Sequence, residues 1–78
     1  MKKYSYIELI EKAEEIIGYK VTSRSYENEN DGVISFSSLA HGYITFHARK
    51  DCDGKYNVTK GFYKDPYMDY HEIKVIDF

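Results

Sequence analysis

The strongest constraint on the fold is a change in the period of the apolar residues at Gly18. Before Gly18, a capping box of Ser5 and Glu8 opens a segment whose apolar residues repeat with the helical period. Gly18 stands where many helices end, because glycine adopts the left-handed conformation at little cost. After it, apolar and polar residues alternate, which is typical of half-buried strands. The sequence therefore predicts an N-terminal helix followed by β-structure.

The predicted helix has two contrasting faces. At about 100° per residue its apolar positions fall within an arc roughly 120° wide, which predicts a core-facing stripe. The members of this stripe are Tyr6, Leu9, Ile10, Ala13, Ile16 and Ile17. The opposite face is acidic with Lys12 as its base, and we expect Ile7 to be exposed among the acids.

The chain after Gly18 divides into strand-like segments separated by turn residues. The predicted strands are 19–26, 33–39, 43–50, 55–63 and 70–78. An acidic turn at 27–32, a short connection at 40–42 and a connection containing Pro66 separate them. We expect a single α+β domain over 1–78, in which the helix packs on one face of a four- to five-stranded antiparallel meander.

The register of the central hairpin decides which side chains face solvent. A three-residue loop at 52–54, ending on Gly54, uses the apolar side chains of both strands best. The pairs it predicts are Ile44 with Phe62, Phe46 with Lys60, Ala48 with Val58, Tyr43 with Tyr63, His47 with Thr59 and Arg49 with Asn57. Loops of two or four residues would instead place Phe46 and Ala48 on one face with Gly61, Thr59 and Asn57, which wastes the apolar side chains. The preferred register places Tyr43 and Tyr63 in solvent, and we expect Tyr6, Tyr56 and Tyr19 in the core.

Nine of the 78 residues are tyrosines, and several stand beside acidic residues. Tyrosine is enriched at binding surfaces because it offers a large contact area at little entropic cost. We therefore predict a partner-binding surface formed by Tyr43, His47, Arg49, Tyr63, Asp65, Tyr67, Asp69, Tyr70 and Glu72. A second, acidic contact surface is predicted to contain Ile7, Glu8, Glu11, Glu14, Glu15, Glu27, Glu29 and Asp31.

Composition narrows the class of protein. Thirteen acids against 11 bases give a net charge of −2, which argues against a general nucleic-acid binder. The single cysteine, Cys52, allows no internal disulfide, and no window approaches the roughly 20 apolar residues of a membrane span. We expect a cytoplasmic protein without a membrane partner.

No catalytic or metal motif is recognisable, and we expect no catalytic residue, metal site or cofactor. His41 and Cys52 lie at opposite ends of one predicted strand, too far apart to share a zinc ion. The Asp51–Gly54 segment resembles the opening of a calcium loop but lacks the later acidic ligands. No glycine-flanked nucleophile is present, and the aspartates around Cys52 disfavour its thiolate.

Three functions fit these observations. The first is a non-enzymatic inhibitor that occludes a macromolecule, such as a protein that handles nucleic acid, through the acidic and tyrosine-rich surfaces. Phage anti-defence (anti-CRISPR-like) and toxin-immunity proteins share this size and charge, although no motif here identifies a family. The second is a nucleic-acid-binding accessory protein that uses Tyr43, His47, Arg49, Lys60 and Tyr63. The third is a small-ligand binder or minimal enzyme. A homodimer is compatible with all three.

Overall fold

The computed structural model describes residues 2–25, 32–39, 41–65 and 73–78. These residues form one α-helix and a six-stranded antiparallel sheet. The elements are β1 (Lys2–Tyr4), α1 (Tyr6–Ile17), β2 (Ser23–Ser25), β3 (Val33–Ser38), β4 (Gly42–Lys50), β5 (Tyr56–Lys64) and β6 (Lys74–Asp77). The predicted α+β fold, with an N-terminal helix on one face of an antiparallel meander, is confirmed.

Two short strands share the outer edge of β5. The meander runs in the order β2, β3, β4, β5. β1 pairs with the first part of β5, where Tyr4 lies opposite Tyr56, and β6 pairs with the later part, where Ile76 lies opposite Gly61. The sequence analysis missed β1 because three residues directly before a helix cap are too few to show an alternating pattern.

Helix α1 begins and ends where the sequence predicts. The hydroxyl of Ser5 accepts the Glu8 backbone N–H at 3.2 Å, and the Glu8 carboxylate accepts the Ser5 N–H at 3.0 Å. Gly18 follows the last helical residue with φ 86°, and its N–H donates to the Glu14 carbonyl at 2.8 Å. The apolar stripe faces the sheet as predicted, and Ile7 is exposed.

The strand after the helix is much shorter than predicted. Of the described residues 19–25, Ser23–Ser25 pair with β3, because the chain first has to travel from the end of α1 to the edge of the sheet. Tyr19 lies in this connection with 55% of its surface exposed, so its predicted core position is wrong. In the described part of the last predicted strand, residues 73–78, the strand covers Lys74–Asp77.

The β4–β5 hairpin has the predicted three-residue turn. The Asp51 N–H donates to the Lys55 carbonyl at 2.6 Å, and Gly54 has φ 82°. This left-handed conformation is why glycine suits the end of such a loop. Next to the turn, Ala48 lies opposite Val58 and Arg49 opposite Asn57, as predicted.

A β-bulge then changes the register by one residue. The extra residue is Thr59, which is exposed and whose hydroxyl donates to the His47 carbonyl at 3.3 Å. The pairs beyond it are His47 with Lys60, Phe46 with Gly61, Ile44 with Tyr63 and Tyr43 with Lys64. These replace the predicted pairs of the same four β4 residues.

The bulge exchanges the two faces of β5. Tyr63 is 9% exposed and belongs to the core, so the prediction that it faces solvent is wrong. Phe62 takes the solvent side instead. Lys60, which the predicted register would bury, is exposed because the bulge gives β5 two consecutive outward positions.

Gly61 makes room for an aromatic ring from another part of the chain. A Cβ atom on Gly61 would lie 3.2 Å from Cε2 of Phe78. The Phe78 ring packs against Phe46, with centroids 5.8 Å apart, and against Tyr4, with centroids 6.0 Å apart. The pairing of Phe46 with Gly61 therefore loses no apolar contact, because Phe78 fills the space above the glycine.

The core lies between α1 and the sheet. Its buried apolar residues are Leu9, Ala13, Ile17, Ile34, Phe36, Ile44, Phe46, Ala48, Tyr56, Val58 and Tyr63. The predicted core positions of Tyr6 and Tyr56 are confirmed, since Tyr56 is buried and Tyr6 packs against Phe36 and Tyr56. The opposite side of the sheet remains open among the described residues.

Candidate partner-binding surfaces

The outward side of α1 presents an apolar residue at the end of a row of carboxylates. Ile7 is 68% exposed. Glu8, Glu11 and Glu15 follow each other at three and four positions, so they line up along the helix, about 4.5 and 6 Å apart along its axis. These four residues are called the acidic helix face below.

A groove runs between the acidic helix face and β1. It measures about 240 Å³ and is lined by Tyr4, Glu8, Glu11, Lys12 and Glu15. The Lys12 ammonium lies 3.7 Å from the Glu15 carboxylate, so the one base in the groove is paired with one of its three acids. The groove therefore combines an aromatic wall with an excess of negative charge.

The structure gives two of the predicted acidic residues local hydrogen-bonding roles. The Glu14 carboxylate accepts the Val21 N–H at 2.9 Å and so holds the connection after the helix. The hydrogen bond from the Ser5 backbone N–H keeps the pKa of Glu8 below its ordinary value. Glu8 is therefore charged at neutral pH while it caps the helix, whereas Glu14 belongs to the connection rather than to the acidic helix face.

The side of the sheet away from α1 collects most of the predicted sheet-face residues. Tyr43, His47 and Arg49 are exposed at alternate positions of β4. The His47 ring lies against Phe62 of β5, with centroids 4.9 Å apart. Opposite Phe62, Val75 of β6 is 54% exposed. This surface, formed by Tyr43, Thr45, His47, Arg49, Lys60, Phe62 and Val75, is called the open sheet face below.

Tyr63 does not join the open sheet face. Burial raises the pKa of its hydroxyl, and the neighbouring Asp65, to which it is hydrogen-bonded, raises that pKa further. Asp65 is thus tied to the core tyrosine. Phe62 was not predicted to be a surface residue, because the bulge that turns it outward is hard to recognise in the sequence. Its only sign in the alternation of apolar and polar residues is Lys60, which the predicted register would bury.

Acidic and basic residues are nearly equal in number in the sequence but lie on different sides of the sheet. By register, the positions on the open side of the sheet include the bases Lys3, Arg49, Lys60 and Lys64 and, across from Lys60, the acid Asp77. The Asp51 carboxylate reaches the same side, where it contacts Lys3 and Asn57. The acidic helix face lies on the other side of the molecule. A net charge of −2 therefore hides two surfaces of opposite sign.

A polar cluster ties β1 to the tip of the β4–β5 hairpin. The Asp51 carboxylate accepts hydrogen bonds from the Lys3 ammonium at 2.7 Å, the Cys52 N–H at 2.8 Å and the Asn57 amide at 3.2 Å. These donors, with Lys3 first, hold the pKa of Asp51 far below its ordinary value. Lys3 also lies 3.6 Å from Asp53. The charge of Lys3 is therefore paired with carboxylates of the hairpin tip.

The end of the molecule beyond β3 carries exposed rings that the sequence analysis did not select. Tyr19 and His41 stack with centroids 3.4 Å apart and planes 10° apart. Leu39 is 81% exposed, although its N–H donates to the Thr22 hydroxyl at 2.9 Å. No local motif marks these residues, since 22 positions separate the two rings in the sequence.

Part of each predicted surface lies outside the described residues. This is so for Glu27, Glu29 and Asp31 in the acidic turn, and for Tyr67, Asp69, Tyr70 and Glu72 after Pro66. Their predicted contributions stay predictions. The surfaces considered below contain described residues only.

Three comparisons with known proteins give no guide to function. No protein-family model, curated protein or solved structure matches this chain. Over the described ranges, no group of three or more His, Cys, Asp or Glu side chains is placed to hold a metal ion. No helix in that part of the chain is both long and apolar enough to cross a membrane.

Proposed function

We propose that this protein is a small non-enzymatic inhibitor that binds a basic macromolecule through its acidic helix face and blocks the partner's own binding surface. The observation that carries the proposal is Ile7, a large apolar side chain left 68% exposed at the end of a row of carboxylates. An apolar centre with a charged rim is the usual layout of a protein interface. A partner with a basic, nucleic-acid-binding groove fits this layout.

The groove beside the acidic helix face suits one basic side chain of such a partner. An arginine or lysine entering it would meet the Tyr4 ring and the carboxylates of Glu8 and Glu11. At about 240 Å³ it is smaller than the roughly 300–1,000 Å³ of pockets that hold drug-sized ligands. This size favours a side-chain contact over the alternative of a small-ligand binder.

The positions of the two described histidines and of the cysteine support a non-enzymatic function. His41 stacks on Tyr19 and His47 contacts Phe62, which are packing contacts. Cys52 is exposed at a hairpin tip beside Asp51, to whose carboxylate its backbone N–H donates. Catalysis by any of them would need a nucleophile and a base within hydrogen-bonding distance. An anti-defence or toxin-immunity role is the class of inhibitor that we favour, by analogy of size and charge.

Affinity capture with charge-neutralised variants tests the proposal. The immobilised protein is compared with a Glu8→Gln, Glu11→Gln, Glu15→Gln triple variant and with Ile7→Ser. Glutamine at position 8 still completes the capping box, so the helix is preserved. Asp53→Asn with Asp77→Asn serves as the control for lost negative charge elsewhere.

The expected result is a basic protein that wild type and the control retain and that both helix variants lose by at least tenfold. Adding the wild-type protein should also release nucleic acid from that partner, because the same surface is occluded. Retention of the same proteins by wild type and the triple variant would overturn the proposal. So would a partner that keeps its nucleic acid when the protein is bound.

A further inference from the structure

We propose that the open sheet face binds single-stranded nucleic acid. This site is on the opposite side of the sheet from the acidic helix face and does not depend on the function proposed above. Its occupant is argued from the charge of the surface, from the rings it exposes and from the number of phosphates it can reach.

The charge of the open sheet face is complementary to a phosphate backbone. The positions on this side include four bases and Asp77, and the carboxylates of Asp51 and Asp53 approach it at Lys3, whereas the acids of α1 lie behind the sheet. Lys3 is engaged by Asp51, so we assign the phosphate contacts to Arg49 and Lys60. These side chains are exposed on neighbouring strands and lie two residue positions apart along β4, since Lys60 pairs with His47.

Three aromatic rings lie between and beside these bases: Tyr43 and His47 are exposed and Phe62 is half-buried. His47 and Phe62 form a tilted pair with centroids 4.9 Å apart, and Tyr43 stands four residues from His47 on the same strand. At roughly 3.3 Å per residue that separation is about 13 Å, which leaves room for bases to stack on both places. Aromatic rings on a sheet face beside a basic track are how many proteins hold unpaired bases.

The small number of available bases sets the expected strength and type of binding. Each phosphate contact to a single strand contributes about −0.7 to the slope of log affinity against log salt. Two contacts from Arg49 and Lys60 predict a slope of about −1.4, far from that of a duplex binder with many contacts. Stacking requires unpaired bases, so a duplex of the same sequence should bind more weakly.

Fluorescence anisotropy with a labelled 12-nucleotide oligothymidylate at low salt tests the inference. The informative pair of variants is Arg49→Gln and Lys50→Gln, because these neighbours lose the same charge on opposite sides of β4. Arg49 faces the open side with Asn57, whereas Lys50 pairs with Tyr56, whose side chain is in the core. His47→Ala and Tyr43→Ala test the stacking positions.

We expect wild type to bind the oligonucleotide with micromolar affinity. The affinity should fall at least tenfold in Arg49→Gln and in the His47→Ala, Tyr43→Ala double variant. In Lys50→Gln it should fall less than twofold. Circular dichroism confirms that each variant is folded. Absence of binding by wild type at about 50 mM salt, where phosphate contacts are strong, overturns the inference. Equal losses in Arg49→Gln and Lys50→Gln, or tighter binding of the duplex, overturn it as well.

Discussion

The Phe78 ring fills the space that a side chain at Gly61 would need: a Cβ atom on the glycine would lie 3.2 Å from the ring. The contact links the middle of β5 to the residue directly after β6. It also explains how a strand pair that sets Phe46 opposite a glycine can still bury Phe46 completely. The two residues should therefore behave as a coupled pair.

Gly61→Ala should lower the free energy of unfolding by about 1–3 kcal/mol, because the added methyl group forces the Phe78 ring away from Phe46. Phe78→Ala should cost a similar amount through the lost ring contacts. In the double variant the two costs should not add, since the methyl group then enters space that the ring has left. Urea unfolding of the four proteins measures the coupling, and simple additivity would contradict the shared space.

Because of the bulge at Thr59, Tyr63 is buried while Tyr43 is exposed, although the predicted register pairs them on the solvent side. Tyr63→Ala should cost about 3 kcal/mol because it empties a core position. Tyr43→Ala, at a position 40% exposed, should change stability by less than about 0.5 kcal/mol. Chemical denaturation compares them directly. A similar cost for both would mean that β5 lacks the register shift.

Acid should weaken the tie between β1 and the hairpin tip through Asp51. Its folded pKa lies below the unfolded value of about 3.9, so the charged carboxylate stabilises the fold fully above about pH 5. That contribution declines as the pH falls through the unfolded and then the folded pKa. Asp51→Asn should therefore show a shallower loss of stability between about pH 5 and pH 2 than wild type.

Lys3→Met provides the companion variant for Asp51. Removing the ammonium, which is the main cause of the shift, should raise the pKa of Asp51 towards its ordinary value in a carboxyl NMR titration. The hydrogen bonds from Cys52 and Asn57 remain and should keep part of the shift. An unchanged titration would show that Lys3 does not hold this carboxylate in solution.

The helix cap should contribute measurably to stability in a domain of this size. Ser5→Ala removes the acceptor for the Glu8 N–H and should cost about 1 kcal/mol. Ser5→Asp offers an equivalent acceptor and should stay within about 0.5 kcal/mol of wild type. Thermal unfolding followed at a helix-sensitive wavelength distinguishes them, and equal melting temperatures would rule out a role for the cap.

Local signals predicted the helix, its caps, four strand cores and the three-residue hairpin turn. These elements depend on neighbours in sequence, such as Ser5 with Glu8 or Gly54 with its turn. The bulge was missed because it depends on the contact between Gly61 and Phe78, which are 17 positions apart and leave no local pattern in the sequence. The same holds for the candidate site. The exposure of Tyr43, His47 and Arg49 could be predicted from the alternation along β4. The outward position of Phe62 could not, because it depends on the register shift. The opposite charge of the two sides becomes visible only when all strands are placed in the sheet.

The lengths of the strands also bear on how copies of the protein behave at high concentration. The two longest strands, β4 and β5, have nine residues each and lie inside the sheet. The edge strands in the described part of the chain are short: β1 and β2 have three residues each and β6 has four. Unpaired backbone groups on a long margin can template the addition of further chains, and short margins offer few such groups. Despite its β-rich, tyrosine-rich sequence, this arrangement should resist growth into fibrils.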